Sequence, residues 1–494
     1  MEMIMEYNSA TTKFIQYIQL MRGWKIPFTG ILILFSSVIV VGQSDSVRLS
    51  IPKLKKIPVA SQTYHPESNI SYLTLANGVR IALRPMVGRE GSHIDSSIYI
   101  RAESVNRKGQ YAGSDKINVR IGGYLIRYAG VANLDHEAFD HFLKEHKTYF
   151  ESNGSQLSLG ISLQTYPNHL NEAFQAIYAF YTEPRSDYKA TRFALDELIK
   201  RYRQRPDTSL ESITSDSLRL VLARKGSYLE ATDLEKAVPK RAVRLYKKRL
   251  SNAQDFIFTI VGAYSLEQII PLIQLYLGNL PTSKVSNRPT DDDGSFPDPR
   301  LKRTIYLPNI STAVINQVFL TNYEQVEEGQ NNLDEAYTSV LSSRIKKKLD
   351  NVKHRDERVL VLKQPGEILN MTRSKNRQVG VLVKLYCSPA RVDSLVALVR
   401  SEMEILSKEP VSEGEMDSFK QRGKKNNDYF QTSSYMWSLV MWGSSFGSDW
   451  PMKISADREQ LLKKITPEAL QQTARRYAST KDIIELIFLP TSTR

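Results

Sequence analysis

The chain has 494 residues, 41% of them hydrophobic and 24% charged. That balance excludes a disordered chain and leaves room for two or more domains, each with its own core. The formal net charge of +14 would suit nucleic acid or an acidic membrane surface. However, acidic residues interrupt basic blocks such as "RIKKKLDNVKHRDER" and no aromatic ladder accompanies them, so the blocks read as solvated helix faces and a nucleic-acid partner is not expected.

The N-terminus has the layout of an export signal. From Met21, Arg22 and Lys25 precede an apolar run from Ile26 to Val41, and Gly42 and Gln43 follow it. A basic start, a short apolar core and small residues are what a secretory signal needs. Residues 1–20 do not fit that pattern, so Met21 is read as the start and residues 1–43 as the signal region. The run is shorter than the roughly 20 residues of a membrane span. Left uncleaved, it would act as an anchor. An exported or membrane-associated chain with the single cysteine Cys387, in the apolar strand pattern "VLVKLYCSPA", uses no internal disulfide.

Residues 44–64 read as a leader. "SYLTLANGVRIALRP" predicts a hairpin turning at Asn77-Gly78, and "SSIYIRAES" another strand. A helical region is expected to start around Gly122-Gly123 and run to residue 150. "QLSLGISLQT" alternates as a half-buried strand should. Leu170, Phe174, Ile177, Tyr178 and Tyr181 repeat at helical spacing, and more helices are expected up to residue 250. "DFIFTIVGAYS" is a buried strand that ends in a glycine turn, followed by the helix "LEQIIPLIQLYLGNLP".

Residues 284–300, "KVSNRPTDDDGSFPDPR", have linker composition. Beyond them the order repeats: strands "RTIYLP" and "INQVFL", a helix over 333–350, strands "RVLVL" and "QVGVLVKLYCS", long helices, and a last strand "IIELIFLP". The expectation is an α+β chain of two homologous α/β sandwich domains, 65–283 and 301–494.

"LANGVRIALRP", "FTIVGAYSLEQIIPLIQLYLGNLP" and "ITPEALQQTARRYASTKDIIELIFLP" resemble the insulinase/pitrilysin family of zinc peptidases. The resemblance covers residues 65–490 and is strongest to the half that lacks metal. It implies a clamshell of two homologous halves closing on a peptide. The N-terminal half of such proteins carries the zinc motif H-x-x-E-H, and in some members the halves are separate chains.

"DHEAFDHFLKEH", residues 135–146, holds three of the seven histidines and misses two zinc motifs by one residue each. H-E-x-x-H would need a histidine at Asp140, and H-x-x-E-H is broken by one extra residue between His141 and His146. Ligands at i and i+4 differ by about 40° around a helix, whereas a spacing of five gives about 140°. His136 and His146 lie about 15 Å apart along a regular helix, while zinc bonds are about 2 Å long. Phe139, Phe142 and Leu143 define the buried stripe, His146 falls at its margin, and Glu137, His141 and Glu145 form a surface ladder.

A metal reading would have to use His136, His141, Glu145 and His146. The three ways are a bulge at Lys144, His136 with Asp140 and Glu137, or His141 with Glu145. Each needs a further ligand, and the spacing of His65, His93, His169 and His354 nominates none.

The resemblance also implies an arginine and a later tyrosine that hold the substrate carbonyl opposite the zinc. The matching region offers Arg344, Arg355 and Arg358 but no tyrosine between Tyr337 and Tyr386. The resulting expectation is a chain that does not catalyse alone and carries no cofactor. It would be the partner of a zinc-bearing homologue in an exported, periplasmic or membrane-associated complex that degrades or processes extended peptides. An active zinc peptidase using 136–146, and a peptide-binding or assembly scaffold with no proteolytic partner, are the alternatives.

Overall fold

The computed structural model describes residues 47–86, 96–105, 115–154, 158–204, 209–222, 231–283, 299–323, 330–350, 358–364, 377–445, 450–452, 454 and 465–493. The signal region and most of the 284–300 linker lie outside the described residues, as do His93, His354 and Arg355. Among the described residues no helix is long and apolar enough to cross a membrane.

The first sheet is built from β1 (Val59–His65), β2 (Ile70–Leu75), β3 (Arg80–Pro85), β4 (Ile98–Val105), β5 (Tyr149–Gly154), β6 (Ser158–Thr165) and β7 (Phe256–Gly262). Its order is β1-β2-β3-β7-β4-β6-β5. The second sheet contains β8 (Lys302–Leu307), β9 (Ala313–Tyr323), β10 (Arg358–Gln364), β11 (Arg377–Cys387) and β12 (Ile483–Pro490), in the order β10-β11-β9-β12-β8. The run β3-β7-β4-β6-β5 matches β8-β12-β9-β11-β10 strand for strand. In each sheet the first pair of that run is parallel and the others are antiparallel. Sequence order matches too, because the last strand of each half, β7 or β12, inserts between the earliest two of the run.

The helices repeat in the same way. Between β4 and β5 lie α1 (Asp115–Arg127) and α2 (His136–Glu145). After β6 come α3 (Leu170–Thr182), α4 (Tyr188–Arg203), α5 (Leu210–Leu222) and α6 (Pro239–Leu250), and α7 (Leu266–Tyr276) follows β7. In the second half α8 (Gln330–Asp350) lies between β9 and β10. After β11 come α9 (Val392–Lys408), α10 (Glu413–Thr432), α11 (Ser434–Ser445) and α12 (Pro467–Ala478).

Each sheet uses both faces, as the two-residue period of its strands requires. On β7, Phe256, Phe258 and Ile260 enter the core under α1, α2 and α3, while Ile257 and Val261 face the other way. That second face is covered by α11 of the other half, through Trp437 and Met441. The reciprocal holds for the second sheet. Val314 and Val318 of β9, Leu382 of β11 and Ile484 and Leu486 of β12 pack with Leu218 of α5. Helices at equivalent positions, α5 and α11, are thus exchanged, each closing the open face of the other half's sheet.

Polar contacts secure both crossings. The Arg84 guanidinium lies 3.7 Å over the Trp437 ring, and burial pushes its pKa down to about 10. Trp442 Nε1 donates to Glu103 Oε2 at 3.1 Å, and Tyr72 Oη donates to the Met452 carbonyl at 2.8 Å. On the other sheet Lys384 Nζ reaches Glu211 Oε1 of α5 at 2.7 Å.

Two segments differ from the sequence expectation. Residues 59–64 of the expected leader belong to the edge strand β1, paired with β2. Its residues are mostly exposed, so no apolar face announces it. The helix expected from Gly122 to residue 150 is two helices and a strand. α1 starts earlier and contains the glycine pair, because a Cβ at Gly122 would sit 3.0 Å from the Ala242 carbonyl of α6. The glycine is a packing notch and not a boundary. At the end of β7, Gly262 has φ +143° and a Cβ there would lie 2.3 Å from the Ser97 carbonyl, so only glycine fits against β4.

Candidate functional site

α2 is a regular helix with defined ends. Asp135 caps it, accepting from the Ala138 N–H at 2.9 Å. Phe139, Phe142 and Leu143 are its buried face. It stops in a Schellman motif: the Thr148 N–H donates to the Leu143 carbonyl, the Lys147 N–H to the Lys144 carbonyl, and Lys147 takes φ +44°. No bulge at Lys144 interrupts it, since the backbone N–H of His146 still bonds to the Phe142 carbonyl at 3.2 Å.

The three histidines therefore face three environments. His136 packs on the Tyr128 ring at 4.4 Å, with Nε2 3.7 Å from Asp140, whose carboxylate also binds Arg127 at 2.9 Å. His141 is on the exposed ladder, 3.9 Å from Glu145. His146 is half-buried and edge-on to Phe142 at 4.7 Å. Neither near-motif on this helix gathers its residues around one point, so this helix does not by itself supply an H-x-x-E-H zinc site.

One of the three does converge with residues from elsewhere. Among the described residues, His146, His169 and Glu172 are the group whose ligand atoms all lie within 4.8 Å of one another. His169 closes the 3₁₀ turn Pro167–His169 and Glu172 is in the first turn of α3. The spacing of His169 nominated no ligand and Glu172 went unnoticed in the sequence, yet a signal was present. "HLNEA", residues 169–173, is H-x-x-E-H with Ala173 at its last position. The missing second imidazole comes from the end of α2.

The arginines are held by other contacts. Arg344 makes a bidentate pair with Glu415 at 2.7 and 2.9 Å. Its guanidinium holds the Glu415 carboxyl well below the usual range, at about 2. Arg358 lies over the Tyr386 ring at 4.9 Å, because the two are register partners across β10 and β11. The fold so supplies an arginine–tyrosine pair that sequence distance hides. Tyr386 is 9% exposed and its hydroxyl donates to Glu211 of α5, which ties it into the helix exchange.

No family model matches the sequence, and no curated protein does. Solved structures do match. The periplasmic protease PqqL from Escherichia coli aligns with TM-score 0.71 and 20% identity over 90% of this chain and 48% of its own. A protease from Helicobacter pylori aligns with TM-score 0.67 and 14% identity over 88% of this chain and 100% of its own. An inactive peptidase M16 domain from Pseudomonas fluorescens aligns with TM-score 0.60 and 12% identity over 86% and 98%. The chain has the insulinase/pitrilysin fold and spans 48% of the length of the Escherichia coli protease.

Proposed function

We propose that this chain is an exported, non-catalytic subunit of insulinase type, working beside a separate homologue that carries H-x-x-E-H and its zinc. The observation that carries the reading is the mismatch between fold and motif. The peptidase fold is present, while the H-x-x-E-H sequence does not occur in the chain. The span supports it: this chain corresponds in length to half of one protease and to nearly all of a domain described as inactive. Tyr386, which lies under Arg358, is bound to Glu211.

In the pair, this subunit would wall one side of a chamber and present sheet edges to an extended peptide, which adds as a strand. β1 and β5 edge the first sheet and β10 and β8 the second. Export through the 21–43 signal puts the complex in the periplasm or at the membrane.

Purification of the tagged chain from its native host tests the partnership. Stoichiometric recovery of a homologue bearing H-x-x-E-H is expected. Recovery as a self-dimer, or with proteins of other folds, would favour the scaffold reading.

A further inference from the structure

We propose that His146, His169 and Glu172 form a binding site for one divalent transition-metal ion, with zinc the best match. Two imidazoles and a carboxylate are a known three-ligand set for zinc that leaves a fourth position to water. Imidazole favours zinc, copper and nickel over magnesium or calcium.

The geometry is close to what an ion needs. Ligand atoms around tetrahedral zinc lie about 3.3 Å apart for bonds of about 2 Å. Here all three lie within 4.8 Å of one another, with the imidazole rings 5.9 Å apart between centroids. Side-chain rotation closes the difference, because all three residues are half-exposed. Among the described residues neither imidazole has a hydrogen-bond partner, and no ion pair within 4.0 Å joins Glu172 to either histidine. The three groups approach one another without bonding to one another.

The surroundings hold the ligands in place. Asn171 Nδ2 donates to Glu172 Oε1 at 3.3 Å, and Asn171 Oδ1 accepts from the Tyr276 hydroxyl at 2.9 Å. Such outer hydrogen bonds orient a ligating carboxylate. Phe142 lies against the His146 ring. The His146 carbonyl accepts from Thr148 Oγ1 at 2.9 Å, and that hydroxyl is 3.0 Å from Thr165 Oγ1. The backbone N–H of His169 donates to the Tyr166 carbonyl at 2.9 Å. A bound ion would clamp the end of α2 to the junction of β6 and α3.

The repeated fold provides an internal control. The 3₁₀ turn Pro389–Arg391 and the start of α9 are the second-half counterparts of Pro167–His169 and α3. Arg391 and Ser394 stand where His169 and Glu172 stand in the first half. The architecture does not demand these ligands. Since Glu172 is itself a ligand, the three residues hold no separate base for the bound water, and the site is one for binding and bracing.

Calorimetric titration of zinc chloride into the chelator-treated full chain tests the site, with cobalt(II) absorption as a second readout. One zinc per chain is expected. His169→Ala and Glu172→Gln should abolish saturable binding and the visible bands of four-coordinate cobalt. Asn171→Ala should weaken zinc by about 10–100-fold, and His141→Ala should change nothing. The absence of saturable binding, or wild-type affinity in His169→Ala, overturns the proposal. Zinc lost in His141→Ala but kept in His169→Ala would overturn it and also remove the non-catalytic reading. Failure to find a zinc-bearing partner would leave this site standing.

Discussion

Charge at single residues gives this chain a specific acid sensitivity. Glu415 has its pKa depressed to about 2, first by the hydrogen bond from Arg344 and then by Ser412. A carboxylate whose folded value lies below its unfolded one contributes stability that is complete above the unfolded value. That contribution is lost as pH falls through the folded one. The window runs from about pH 4.5 down to about pH 2. Arg344→Gln should flatten the acid limb of stability by about 1–2 kcal/mol, the range for a partly solvated charge-assisted pair. Urea unfolding of both proteins at several pH values reads the difference. An identical acid limb in the two proteins would remove this pair from the account. Other single-residue features were legible because they follow from pattern alone. Phe139, Phe142 and Leu143 are buried as their spacing required, and Cys387 is 1% exposed at the end of strand β11.

At the scale of elements, the largest misreading and the largest omission have one cause. The helix expected up to residue 150 overruns the start of β5, residues 149–154, which pairs with β6 so that Tyr149 faces Gln164 and Gly154 faces Leu159. That register, continued past the strand ends, carries residue 146 to within a few positions of residue 169. His146 and His169 meet because a hairpin folds between them, and no local spacing records such a contact. β1 escaped notice for a different reason, since an exposed edge strand has no buried face to produce alternation. The end of α2 carries a prediction of its own. Lys147 sits at φ +44° in the C′ position of the Schellman motif, where a side chain costs about 1–2 kcal/mol relative to glycine. Lys147→Gly should raise stability by about 1 kcal/mol, measurable as a higher urea midpoint with an unchanged slope. A lower midpoint would contradict the left-handed cap.

The whole molecule is a duplication whose halves are mutually dependent. The duplication was legible in the repeated order of strands and helices. The exchange of α5 and α11 was not, because an amphipathic helix shows that it must cover something but not which sheet. Tyr386 illustrates the consequence, since an arginine–tyrosine pair exists only once β10 lies on β11, and Glu211 reaches it only once α5 has crossed over. Separated halves would each expose an apolar sheet face, lined in one case by Ile257 and Val261 and in the other by Val314 and Val318. Residues 47–283 and 299–494 expressed apart should therefore aggregate or remain partly folded. Mixed, they should recover a cooperative melt together with the tryptophan emission of buried Trp437. Two independently cooperative halves would contradict the interlocked core.

The near-motif of α2 is a surface ladder and a helix end, and the proposed function leaves peptide hydrolysis to a partner chain. Hydrolysis of unstructured peptides by the purified chain, with zinc added, tests that claim most directly. No chelator-sensitive cleavage is expected from the chain alone, and cleavage is expected once a homologue bearing H-x-x-E-H is added. Chelator-sensitive turnover by this chain alone, abolished by changing His141 or His146, would contradict it.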